Sequence, residues 1–226
     1  GETNLGNLVA DSMLTKVDAD VAITNGGGIR ASINEGEVTK GEVITVLPFG
    51  NTTVVKKLTG AQLLDAVEHG LSQYPALEGL FPQVAGMQII FDGDRPAGER
   101  VISLTVNGEP VEHDAVYNVA TNDFMAAGGD GYEVFKGTET VVEAGGLEEL
   151  VMNYISQKGT VSPREEGRIL EVDQQGNNYI YTVESGDYLA KISRMFNVKV
   201  DAIVEANNLE SRNMIYVGQN LTIPTE

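Results

Sequence analysis

Hydrophobic positions change their period several times along the chain, and each change marks an element. From Thr3 onward Leu5, Leu8, Val9, Met13 and Leu14 fall on one helical face, with Thr3 or Asn4 placed to cap the start, which predicts an amphipathic helix to about residue 17. The run Val21-Ala22-Ile23-Thr24 predicts a short buried strand, ending in the permissive loop Asn25-Gly26-Gly27-Gly28-Ile29-Arg30. Residues 52–58 read as a strand and 59–71 as a second helix, with Thr59 as N-cap and Leu63, Leu64 and Val67 turned inward. Further strands are expected at 87–91, 101–106 and 116–121, a helix at 147–155 and a closing strand at 168–172.

Helices and strands alternate without a regular βαβ repeat, and turns such as Val106-Asn107-Gly108-Glu109 join strand pairs directly. The expected class is α+β with a mixed sheet over residues 1–172. Residues 173–178, Asp173-Gln174-Gln175-Gly176-Asn177-Asn178, are polar throughout and read as a linker. Residues 179–226 then carry a pattern of their own: strand 179–183, helix 188–196, helix 200–207 and strand 219–223, a compact βααβ unit.

Composition narrows the function classes. The chain of 226 residues has 33 acidic against 15 basic side chains, a net charge of −18, and phosphate-backbone binding depends on the opposite balance. A nucleic-acid polymer is excluded as a partner on that ground. With no cysteine there is neither a disulfide scaffold nor a thiolate zinc site. No stretch approaches the ~20 apolar residues that a membrane span requires, and residues 1–20 lack a basic start followed by an apolar run. The opening Gly1-Glu2-Thr3-Asn4 passes at once into helical periodicity, which reads as a boundary inside a longer chain.

The residues of a hydrolytic centre are missing from the pattern. The two histidines, His69 and His113, have no partner at ligand spacing and are expected on the surface. There is no Gly-x-Ser-x-Gly elbow, Walker loop or Gly-x-Gly-x-x-Gly fingerprint. No catalytic residue and no metal ligand is therefore expected in this chain.

Three segments combine glycine with polar or aromatic residues beyond what packing requires. In Asn25 to Arg30 small residues let a ligand approach the backbone and Arg30 offers a guanidinium to phosphate oxygens, though a flexible turn with a surface arginine reads equally well. Leu47-Pro48-Phe49-Gly50 sets an aromatic ring on a rigid turn, as a ligand contact or as a core plug. In the stretch from Thr121 to Tyr132, Phe124 precedes Gly128-Gly129-Asp130-Gly131. An aspartate accepts hydrogen bonds from a ribose diol and two rings can enclose a base, so a nucleoside pocket stands beside a calcium loop and a structural turn as readings of this segment.

Together with Thr3-Asn4-Leu5-Gly6-Asn7-Leu8, Phe81-Pro82-Gln83-Val84-Ala85-Gly86 and Glu166-Gly167-Arg168-Ile169, these segments resemble the C-terminal domain of the 5′-nucleotidase family over about residues 1–172. The resemblance implies a hydrolase in which an N-terminal metallophosphatase domain, absent here, holds two divalent metals, while the C-terminal domain holds the nucleoside. It implies Phe49 and Phe124 as the rings of a base sandwich, Asn25 as a base contact, Arg30 as a phosphate or ribose contact and Asp130 as the acceptor for the ribose diol. On that view this chain is a fragment of such an enzyme, inactive alone, with no cofactor of its own.

The tail resembles a LysM module, through the run from Tyr181 to Ile192, then Asn207-Asn208-Leu209, then the run from Val217 to Pro224. The resemblance implies binding of N-acetylglucosamine polymers, peptidoglycan or chitin, in a groove between Gly186-Asp187-Tyr188-Leu189 and Met214-Ile215. Tyr188 replaces the threonine more usual there, and would either stack on a sugar or obstruct it. The combined expectation is nucleotide recognition within a secreted, wall-associated 5′-nucleotidase of a Gram-positive bacterium. The alternative is a non-catalytic wall-binding or adhesion protein.

Overall fold

A computed structural model describes residues 1–76, 78–212 and 214–224. Helix α1 (Asn4–Lys16) leads into strand β1 (Val21–Asn25), then α2 (Lys40–Val46), β2 (Thr52–Thr59) and α3 (Gly60–Leu71). Strands β3 (Pro82–Ala85), β4 (Met87–Phe91), β5 (Val101–Val106), β6 (Glu109–Pro110) and β7 (Val116–Asn122) follow. Next come α4 (Asp123–Ala126), β8 (Thr140–Gly146), α5 (Leu147–Lys158) and β9 (Ile169–Glu171). The tail consists of β10 (Asp173–Gln175), β11 (Asn178–Thr182), α6 (Leu189–Phe196), α7 (Val200–Ala206) and β12 (Asn220–Pro224).

The class is α+β with mixed sheets. A five-stranded sheet runs β3-β1-β7-β2-β8 and a four-stranded one β6-β5-β4-β9. Only β1/β7 and β4/β9 pair in parallel; the other pairings within these two sheets are antiparallel. Strand alternation decides what each face packs against. In β1, Val21 and Ile23 enter a core shared with Met87, Ile89 and Phe91 of β4 and with Leu63, Val67 and Leu71 of α3. Ala22 points the other way, to Val9, Ala10 and Met13 of α1, Val43 and Val46 of α2, and Leu147 and Val151 of α5. The result is two sheets enclosing α3, with a helical layer over the far face of the larger sheet.

Side chains that bind backbone groups fix the helix starts. Thr59 and Gln62 form a reciprocal capping box on α3, and Thr39 and Glu42 form one on α2. The ends of the domain are tied together by Glu2, whose carboxylate accepts the backbone N–H groups of Glu166, Arg168 and Ile169. Arg168 in turn grips Asp11 with both terminal guanidinium nitrogens, at 2.7 and 3.0 Å.

The segment expected as a linker takes a different form. Asp173–Gln175 pairs with β11, and Gly176, at φ +62°, turns the chain between them. Residues 173–177 are exposed, so the segment's composition is that of a tether while its backbone completes a three-stranded sheet, β10-β11-β12. Helix α6 lies across β4, β5 and β6. Accordingly Ile90 and Val172 are buried in one cluster with Tyr179, Tyr181, Ile192, Met195 and Phe196.

Candidate functional site

Topology gathers the singled-out segments at one sheet edge. β1 and β7 are parallel neighbours, so Asn25 and Asn122, their last residues, end on the same side. β2 runs against β7 with Thr53 opposite Asn122, which delivers residues 47–51 to that edge. β3 runs against β1 with Pro82 opposite Asn25, which delivers residues 78–81.

A polar network fixes the floor. Asn122 donates through Nδ2 to Thr24 Oγ1 and Asn25 Oδ1, both at 3.0 Å, while its Oδ1 caps α4 by accepting Met125 N–H at 2.8 Å. Asn25 Nδ2 then donates to Asp130 Oδ2 at 2.6 Å, a charge-assisted bond. Asn25 is 3% exposed and Asn122 1%, whereas Phe49 is 62% and Phe124 43% exposed. Buried amides beneath solvent-facing rings invert the usual placement, and folding alone gives no reason for it.

Asn25, Arg30, Phe49, Phe124 and Asp130 line one cleft of about 360 Å³, together with Asn51 and Gly79. All five residues singled out in the sequence are therefore brought together. Arg30 is exposed, and its Nη1 donates to the Gly27 carbonyl at 3.3 Å. Gly27 and Gly79 are in backbone contact: Gly27 N–H donates to Gly79 O at 2.8 Å, and a Cβ on Gly27 would lie 2.9 Å from Gly79 Cα. Gly129 lies under the Phe124 ring, where a Cβ would meet three ring carbons at 2.5 Å.

Phe49 is thus not a core plug. His69 departs from its expected surface role: it is only partly exposed, its Nε2 lies 2.8 Å from the Asp130 main-chain oxygen, and its ring meets Tyr132 edge-on at 4.8 Å. Sequence reasoning assigns no site role to His69 or to the buried Asn122, because their partners lie at the ends of other elements. Tyr132 is fully buried, burial and the nearby Asp130 push its pKa up, and its hydroxyl donates to Leu80 O at 2.6 Å.

Among the described residues no group of three or more His, Cys, Asp or Glu side chains converges as a metal site.

In the tail, Gly186, Tyr188 and Met214 are exposed and Ile215 partly so. Leu189 and Asp187 behave differently from the groove-lining role expected of them. Leu189 is buried in the module core. The Asp187 carboxylate is fully covered and accepts from Tyr181 Oη (2.6 Å), Glu184 N (2.9 Å) and Lys191 Nζ (2.8 Å). Burial alone would raise its pKa, but these bonds outweigh burial and hold it below the usual carboxylate range. Both side chains face the interior of the module. Exposed Tyr216 and Val217, beyond the residues singled out, extend the apolar surface.

The sheet edge belongs to a mixed α+β domain, and a small module with its own three-stranded sheet and two helices follows it. The chain belongs to the 5′-nucleotidase, C-terminal domain family, which matches residues 1–137, and a LysM domain matches residues 181–224. It is 47% identical over 182 residues to the trifunctional nucleotide phosphoesterase protein YfkN of Bacillus subtilis (strain 168), covering 76% of this chain and 12% of that protein. Human 5′-nucleotidase is 34% identical over 190 residues, covering 74% and 33%. The crystal structure of a 5′-nucleotidase precursor from Thermus thermophilus superposes with a TM-score of 0.72 at 42% identity, covering 77% of this chain and 36% of that one. The chain thus spans between about an eighth and a third of the length of these relatives. No helix among the described residues is long and apolar enough to cross a membrane.

Proposed function

We propose that residues 1–172 hold the nucleoside portion of a nucleotide for a 5′-nucleotidase-type phosphoesterase whose metal-bearing hydrolytic domain lies outside this chain. The carrying observation is that two exposed rings, Phe49 and Phe124, flank a cleft whose other walls are Asn25, Arg30 and Asp130. A base between the rings puts its ribose at Asp130, whose carboxylate accepts from the 2′ and 3′ hydroxyls. Asn25, held by Asn122, faces the base edge, and Arg30 meets phosphate or ribose oxygens. In this arrangement the chain binds and orients the substrate; the two divalent metals and the bond-breaking step belong to the other domain.

Stacking on aromatics is worth about 1–3 kcal/mol per base, more than a phosphate contact to an exposed arginine in salt water. Adenosine or AMP is therefore expected to bind the full chain with a Kd on the order of 0.1 mM or weaker, since only part of the enzyme's contact surface is present. Phe49→Ala and Phe124→Ala are each expected to weaken binding about tenfold or more by titration calorimetry. If both variants bind like the parent, the nucleoside reading is wrong.

The LysM match supports a second role, attachment to peptidoglycan or chitin-type glycan through Tyr188, Met214, Ile215 and the Gly186 backbone, and with it a secreted, cell-wall-associated location in a Gram-positive bacterium. The full chain is expected to co-sediment with insoluble peptidoglycan and to be released by soluble N-acetylglucosamine oligomers. A chain left wholly in the supernatant would sink this part.

A further inference from the structure

We propose that His69 is a positioning residue for ribose recognition, fixing Asp130 through its main chain. This deepens the nucleoside reading of the cleft and rests on it for its ligand arm. Asp130 has φ +52° and ψ +21°, the left-handed region that a non-glycine residue enters at a cost, between Gly128 at φ +88° and Gly131 at φ +83°. A turn with three such residues keeps one shape only if its surroundings hold it. Asp130 is held twice: its side chain by Asn25 Nδ2 from the end of β1, and its carbonyl by His69 from the last turn of α3.

A carbonyl oxygen only accepts, so Nε2 carries the proton and donates, in the neutral and the cationic imidazole alike. The division of labour matters. Removing the Asn25 bond frees a carboxylate rotamer, whereas removing the His69 bond frees the backbone torsions that aim the carboxylate at the cleft.

The end of α3 is shaped for this contact. A Cβ on Gly131 would lie 2.8 Å from His69 Cε1, so only glycine there admits the ring. A Cβ on Gly70 would lie 2.6 Å from the Tyr132 hydroxyl, so Gly70 makes room for the tyrosine against which His69 packs. Glu68 anchors the same turn of helix to the smaller sheet by accepting Arg100 N–H at 3.0 Å and Val101 N–H at 2.7 Å. Three successive residues, Glu68, His69 and Gly70, thus tie α3 to a sheet, to the ribose-facing turn and to the aromatic beneath it.

The test compares the full-length parent with His69→Ala and His69→Gln, since glutamine places an N–H donor close to the position of Nε2. Titrations with adenosine and 2′-deoxyadenosine read the ligand, and the amide resonances of Gly129, Asp130, Gly131 and Tyr132 without ligand read the turn. His69→Ala is expected to weaken adenosine about threefold to tenfold, the value of one well-placed hydrogen bond, and to bring the adenosine to deoxyadenosine ratio towards one. His69→Gln is expected to recover most of both, a rescue that a packing role for the ring would not give. The four resonances should move in the alanine variant and return in the glutamine variant. The inference is overturned if they stay in place in His69→Ala, or if the glutamine variant behaves like alanine. A parent that binds neither nucleoside removes the nucleoside reading instead, and the resonances still decide whether His69 holds the turn.

Discussion

Gly129→Ala is expected to cost the cleft about tenfold or more in adenosine affinity while leaving thermal stability almost unchanged. A methyl group at that position would overlap Cδ1, Cε1 and Cζ of Phe124 at 2.5 Å, far inside contact distance, so one of the two must move. The ring is the part free to move: Phe124 is exposed and can swing into solvent, giving up little buried area. The loss therefore falls on stacking, worth about 1–3 kcal/mol, and not on folding. Gly128→Ala is the informative contrast. There the added methyl meets the flexible end of Lys136, but the residue sits at φ +88°, so the cost is backbone strain of roughly 1 kcal/mol charged to stability. Calorimetric titration beside thermal denaturation separates the two. If Gly129→Ala binds adenosine like the parent, the Phe124 ring is not half of a base sandwich.

That contrast shows what can be read from the chain and what cannot. The Gly-Gly-Asp-Gly motif and its neighbouring ring are local, and so are legible; that Gly128 supplies a torsion and Gly129 an absence of side chain depends on Lys136 and Phe124 folding over them. The same division holds for the fold. α1 and α3 announce themselves by caps and apolar spacing, α6 by apolar spacing alone, and β2, β4, β5 and β7 by apolar runs between turn signals. β3 escapes sequence reading because it is four residues long and begins with Pro82, which is tolerated because β3 is an edge strand. β8 escapes it because its first four residues are exposed, with pairing to β2 as its support in the sheet. α2 is too short to show a period, although Thr39 and Glu42, three apart, spell its capping box. Asn122 and His69 act across the parallel β1/β7 pairing and from the end of α3, and neither juxtaposition exists before the chain folds. In the tail, Asp187 carries the mark of a polar loop residue, and only the folded module shows its carboxylate turned inward to Tyr181 and Lys191.

Ile90→Asp is expected to separate the LysM module from the domain that carries the cleft. Within β4, Met87, Ile89 and Phe91 point into the core with α3, so Ile90 points to the opposite face, which an isolated domain would leave in water. It is nevertheless 1% exposed, because α6 crosses this sheet and Ile90 joins Val172, Met195 and Phe196 in one apolar cluster, with Ile102 and Leu170 packed at its margin. An unpaired carboxylate in that cluster costs several kcal/mol if it stays buried, and the cheaper escape is for the module to lift away and let water in. Ile90→Ala, which leaves a cavity and no charge, is expected to cost about 2–4 kcal/mol without undocking. The parent should therefore unfold in a single calorimetric transition and Ile90→Asp in two, with residues 173–178 becoming cleavable by protease in the variant. If Ile90→Asp melts in one transition at the parent's temperature and resists cleavage there, the module stays docked in spite of the charge and the shared cluster is not what holds it. On the proposed function, a docked module has a consequence that a tethered one lacks: its exposed Tyr188 and Met214 and the cleft between Phe49 and Phe124 keep a fixed relative direction, so attachment to a glycan would set which way the cleft opens.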